Sequence, residues 1–234
     1  MTNAIATNNT SKTGGNIGLT SCPGKRVRLD APLAPQMRPP VARDLDIDLP
    51  RLASMGVRLI VNCLSDDELA FLGAPWPRYS SIATSLGLTV ARIPMVDGSV
   101  PPDMSILHDV IEAMHSTLQQ GHNVIVHCRG GIGRAALVSC CYMLKHGIID
   151  DAERSIEFVR QRRSRRAVET VEQEKFIEAF FDQYCRKESK PEEETQFVLE
   201  HEEQGAGAQD VDPEDMLIIE DGEGLGGGSG GMGQ

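Results

Sequence analysis

The sequence predicts an α/β domain: a central sheet of mainly parallel strands flanked by helices on both faces. Three observations lead there. Short apolar, β-branched runs (residues 57–64, 88–93 and 124–128) alternate with segments of helical apolar spacing. The run at 124–128 passes directly into a glycine-rich turn, Arg129-Gly130-Gly131-Ile132-Gly133, and that turn opens a helix. Such a turn lies at the carboxyl end of a strand, the edge where α/β sheets bind ligands.

Taken in order, residues 1–17 are rich in Thr, Asn and Ser and carry no apolar signal segment, so they are expected to form a flexible leader and secretion is not expected. Residues 18–25 (Gly-Leu-Thr-Ser-Cys-Pro-Gly-Lys) suggest an extended segment and a Pro-Gly turn, and four prolines between Ala31 and Pro40 suggest a surface loop. Leu45, Leu49, Leu52 and Ala53 have helical spacing, stopped by Gly56. After the 57–64 strand, Asp66-Asp67-Glu68-Leu69 can begin a short helix, since acids suit a first turn. A helix over 77–86 and a strand over 88–93 follow, and Pro94 ends the strand. The loop 95–103 leads to a helix capped by Asp103, with Ile106, Leu107, Val110, Ile111 and Met114 as its apolar stripe. Helices over 133–146, from Asp150 or Asp151 to Arg163, and from Thr170 complete the domain, which spans residues 18–186. The acid-, Gln- and Gly-rich residues 187–234 cannot bury enough apolar surface to offset their ordering entropy and are expected to be disordered.

Charge is unevenly distributed. The net charge is -11, yet fourteen acidic and only three basic residues stand from Arg186 onward, leaving twenty of each before it. The domain is therefore neutral, which gives no reason to expect nucleic-acid binding. No apolar run approaches the ~20 residues of a membrane span. Six cysteines (22, 63, 128, 140, 141 and 185) form no Cys-x-x-Cys pair, so neither a metal nor a redox motif is indicated, and reduced thiols in cytoplasm or nucleus fit best.

The chemistry concentrates at His127-Cys128-x5-Arg134. Cys128 precedes a helix N-terminus, where backbone N–H groups and the helix dipole favour an anion, and Arg134 adds a positive charge; both favour the nucleophilic thiolate. Glycines 130, 131 and 133 let the backbone of residues 129–134 curl so that successive amides point at one centre, a nest for phosphoryl oxygens. Arg134 can hold two of those oxygens in a fork, and the same donors suit a trigonal-bipyramidal transition state. His127 is expected to orient the cysteine and to add positive field. Asp97, in a loop after a strand and so on a candidate mobile lid, is the best general acid for a leaving oxygen. Gln173 is a candidate for positioning the water that hydrolyses the phosphocysteine.

These residues resemble the protein tyrosine phosphatase superfamily. Pro94-Met95-Val96-Asp97-Gly98 is similar to the general-acid loop of its dual-specificity branch. Arg43-Asp44-Leu45-Asp46, Gly56-Val57, Glu68-Leu69, Tyr79 and the 19–24 turn resemble the kinase-associated phosphatase type, as does Thr170-Val171-Glu172-Gln173, the segment carrying that group's water-positioning Gln. The resemblance implies hydrolysis of phosphoserine, phosphothreonine or phosphotyrosine in a protein substrate, a cyclin-dependent kinase among the candidates. It implies a monomer acting without metal or other cofactor. A phosphopeptide-binding domain with weak turnover is the alternative. In one respect the sequence departs from the family: Ala135 stands where a Ser or Thr hydroxyl usually helps the thiolate leave, which predicts slow breakdown of the phosphoenzyme. The resemblance also makes Cys63 a candidate for a reversible disulfide with Cys128, against simple packing. Two features stay open: the basic run 160–166, as a substrate-attracting patch or a solvated helix end, and Met216-Leu217-Ile218-Ile219, as a docking motif or a chance apolar patch.

Overall fold

The computed structural model describes residues 3–5, 14–29 and 39–186. The acidic tail 187–234 with its Met216–Ile219 patch, most of the leader and most of the 31–40 loop lie outside the described residues.

The strands are β1 (Asn3–Ile5), β2 (Ile17–Ser21), β3 (Arg26–Val27), β4 (Val41–Ala42), β5 (Val57–Asn62), β6 (Thr89–Arg92) and β7 (Asn123–Cys128). The helices are α1 (Leu45–Ser54), α2 (Asp66–Phe71), α3 (Trp76–Ser85), α4 (Met104–Gln119), α5 (Arg134–Lys145), α6 (Ala152–Arg162) and α7 (Val171–Tyr184). Five strands form one sheet in the order β1-β2-β7-β5-β6, with β2, β7, β5 and β6 parallel. The apolar, β-branched β5 and β7 are buried along almost their whole length, as central parallel strands must be. Helix α5 packs on β7 and β2 with α6 and α7 against it, while α1 and α3 meet β5 and β6.

Two differences from the sequence expectation concern pairing. Asn3–Ile5, inside the stretch read as a flexible leader, pairs antiparallel with β2 and covers that sheet edge. The pair β3–β4 is too short to show an alternation in sequence. In α4, Leu107, Val110, Ile111, Met114 and Leu118 are buried, whereas Ile106 faces solvent: the helix presents a narrower stripe than its apolar content suggested.

Caps fix where the helices next to the site begin. Ser65 accepts from Glu68 N and Glu68 reaches back to Ser65 N, a capping box on α2. Thr170 accepts from Gln173 N at the start of α7. Helix α5 has no side-chain cap, so the free amides of its first turn face the loop that precedes it.

Candidate active site

Registers on either side of β7 bring the site residues to one edge. Cys128 aligns with Ser21 of β2, and His127 with Asn62 of β5, so Cys22 and Cys63 flank the nucleophile at the ends of both neighbouring strands. All six cysteines are free thiols, and burial raises Cys63 well above the usual thiol range and Cys22 to about 12.

The loop after Cys128 owes its shape to what holds its carbonyls. Lys25 Nζ donates to Arg129 O (2.9 Å), Arg163 donates to Gly130 O (3.1 Å) and Gly131 O (3.0 Å), and Val168 N donates to Ile132 O (3.1 Å). With four successive carbonyls tied outward, the peptide planes turn their N–H groups toward the loop's centre. Gly131 N–H already donates to Cys128 Sγ (3.1 Å). Gly131 has φ +70°, and a Cβ there would overlap the Thr20 carbonyl, so only glycine fits. Part of the basic run is therefore structural, since Arg163 braces the loop while Arg160 bonds Ala167 O, Val168 O and Glu174.

Arg134 is 1 % exposed yet richly engaged. Glu68 takes both Nη groups in a bidentate fork (2.8 and 3.0 Å), Met95 O accepts from Nη1 (2.7 Å) and Asp97 Oδ1 from Nη2 (2.9 Å). Burial works against the guanidinium charge, but Glu68, then Cys128 and Asp97, outweigh it and hold its pKa above the usual arginine value. Nε–H alone has no partner among the described residues. A phosphate gripped through Nε and Nη2 would therefore displace Asp97 from Nη2.

Asp97 also lies 3.8 Å from Arg129 Nη1, at the mouth of the site. Its loop is tied to α7 on one side. Thr170 Oγ1 donates to Gly98 O (2.8 Å), Gln173 Nε2 to Ser99 O (3.0 Å) and Ser99 Oγ to Glu172 (3.2 Å), which latch residues 98–99 onto the first turn of α7. Gln173 is fully buried; its Oε1 accepts from Glu169 N (2.9 Å), so both ends of its amide are engaged. It stands beside Gly133, but as a brace between two loops.

His127 requires a correction. Burial pushes its pKa down to about 3, against a raising contribution from the Cys128 backbone. The ring is neutral at pH 7 and adds no positive field. Its Nε2 lies 3.1 Å from the buried Tyr79 hydroxyl, and the rings stack at 5.8 Å. Ala135 is completely buried and presents only a methyl group.

The fold brings Cys128, Asp97, Arg134, His127 and Gln173 to one region, and adds supports that sequence reasoning missed. Glu68 reads locally as the third residue of a capping box, which hides its pairing with Arg134. Lys25 and Arg163 carry no motif; only the unusual density of cations around 160–166 hinted at a charge-bearing role.

A thiol within a loop of inward amides, with a buried arginine and a carboxylate at the mouth, is an arrangement suited to binding a phosphoryl group beside sulfur. The family profile of the dual specificity phosphatase catalytic domain matches residues 43–182, and the chain belongs to that family. Its activity class is therefore that of a protein phosphatase. The chain is 26% identical over 142 residues to human cyclin-dependent kinase inhibitor 3, a match covering 61% of this chain and 66% of that protein. In fold it is similar to kinase associated phosphatase with its catalytic-site cysteine replaced by serine (TM-score 0.65, 22% identity, 80% of this chain and 97% of that one). It is also similar to PTPMT1 (TM-score 0.53, 20% identity, 71% and 89%).

Proposed function

We propose that this protein hydrolyses phosphoserine, phosphothreonine and phosphotyrosine in protein substrates through a phosphocysteine intermediate. The observation that carries the reading is the loop itself: four carbonyls bound outward, amides turned inward on Cys128, and Arg134 held by Glu68 at its base. Cys128 attacks phosphorus, the amides of residues 129–134 and Arg134 hold the equatorial oxygens, and Asp97 protonates the leaving oxygen. Phosphate entry at Nε and Nη2 releases Asp97 from its ion pair at the moment an acid is needed. Water then cleaves the phosphocysteine, with Gln173 bracing the water side. A cyclin-dependent kinase is a candidate substrate, from the likeness to cyclin-dependent kinase inhibitor 3. We place the protein as a monomer in the cytoplasm, with access to the nucleus.

The test is turnover of p-nitrophenyl phosphate and of phosphopeptides carrying each residue type. Cys128→Ser is expected to abolish turnover, and Asp97→Ala to lower kcat by about 10²–10³-fold. Full activity in Cys128→Ser would end this reading. The buried methyl of Ala135 favours slow second-step chemistry, so a burst followed by slow turnover is expected, with Ala135→Ser raising the steady rate. Absence of a burst together with an unchanged rate in Ala135→Ser would remove that part.

A further inference from the structure

Beside the phosphate loop lies an open cleft of about 430 Å³, lined by Ser65, Glu68, Pro94, Met95, Val96 and Asp97. Its volume falls within the range of ligand pockets, about 300–1,000 Å³. Glu68 and Asp97 are the two carboxylates that hold Arg134, so the cleft shares two walls with the phosphate site.

The lining is apolar where it is free. Glu68 gives both oxygens to Arg134, and Asp97 Oδ1 accepts from the same guanidinium. No lysine, arginine or histidine is among the lining residues, and Pro94, Met95 and Val96 supply half of them. The two most exposed large apolar side chains among the described residues are Val96, at 77%, and Phe71, at 72%. Val96 edges the cleft. Phe71 follows Glu68 on α2 and lies 5.9 Å from the Arg129 guanidinium, which in turn stands 3.8 Å from Asp97. Scattered exposed apolar residues are ordinary. These two border the mouth of one site.

The chemistry proposed above brings substrate to this surface. For Asp97 to protonate the leaving oxygen, the residue carrying that oxygen must stand beside Asp97, and therefore close to Val96. Consecutive Cα atoms are about 3.8 Å apart, so a side chain one or two residues along the substrate reaches the cleft. An acidic side chain there would meet Glu68 and Asp97 with no basic side chain in the lining. A basic one would compete with Arg134 for carboxylates already bound. An apolar one removes exposed surface of Pro94 and Val96 from water.

We propose that the cleft is a specificity site for an apolar side chain, leucine or larger, within two residues of the phosphorylated residue of the substrate. This rests on the protein-phosphatase reading above.

The experiment measures kcat/KM of the full chain on phosphothreonine peptides, whose short side chain keeps the backbone near the mouth. Leu, Ala, Lys or Glu is placed in turn at each of the two positions on either side. At one position or more, Leu is expected to exceed Ala by about 10-fold, the worth of a partly buried side chain, with Glu below Ala. Val96→Glu, a change at an exposed side chain, is expected to bring the Leu-to-Ala ratio within about twofold of unity and to favour Lys. That ratio compares two peptides on one protein, so a general loss of rate cancels. Leu and Ala alike at all four positions overturns the proposal, as does a wild-type preference for Lys or Glu, or an unchanged ratio in Val96→Glu. The control is p-nitrophenyl phosphate, which has no flanking residues. Its turnover without any peptide preference ends this proposal alone; no turnover of it or of any peptide ends the phosphatase reading as well.

Discussion

His127 and Arg134 stand on either side of the nucleophile, both basic and both buried, and they keep opposite charge states. His127 is enclosed by β2, β5 and Tyr79, with no carboxylate among the described residues paired to it, and burial drives it neutral, to about 3. Arg134 is as deeply enclosed but meets Glu68 and Asp97, and stays charged. Burial decides the charge of a titratable group only where no counter-charge is supplied. Both outcomes serve the proposed mechanism, in which a neutral ring orients Cys128 and a fixed cation receives phosphate.

At neutral pH the largest break in that contrast comes from removing Arg134's counter-charge. Glu68→Ala leaves a buried guanidinium with only Asp97, at 55% exposure, and a carbonyl. It is expected to cost about 3 kcal/mol or more in urea unfolding, and to weaken inhibition by vanadate, a phosphate mimic. An unchanged midpoint would show that Glu68 is dispensable.

The effect of His127 is absent at neutral pH and develops only in acid. Its pKa in the folded state lies below the ordinary 6.5, so the unfolded chain binds the proton first as pH falls. Stability is full above about pH 6.5 and declines toward pH 3, by as much as about 5 kcal/mol from this residue. His127→Gln should flatten unfolding free energy against pH in that window; an equally steep profile would contradict a neutral buried ring. Smaller still, Tyr79→Phe removes the hydroxyl facing Nε2 and is expected to cost about 1 kcal/mol at neutral pH in thermal unfolding.

The same contrast explains what the sequence could reveal. Strand β7, the glycines and Arg134 are contiguous, so the strand, the turn, the helix that follows and the sheet edge they occupy were legible. The neutral state of His127 was not, because it depends on burial between β2 and β5, strands far apart in sequence. Glu68 lies 66 residues before Arg134, and its pairing follows from tertiary packing that no local pattern encodes. The hydrogen bonds of residues 98–99 to the start of α7 are likewise a product of tertiary packing. Ile106 shows the reverse error: an apolar residue adjacent to a buried stripe was counted into it.

The central claim is that Cys128 carries the phosphoryl group during turnover. Acid quenching within the first turnover, followed by peptide mass spectrometry, tests it most directly. Phosphate on the peptide containing Cys128, absent in Cys128→Ser, is the predicted result. Steady turnover with no phosphate on that cysteine would contradict the account.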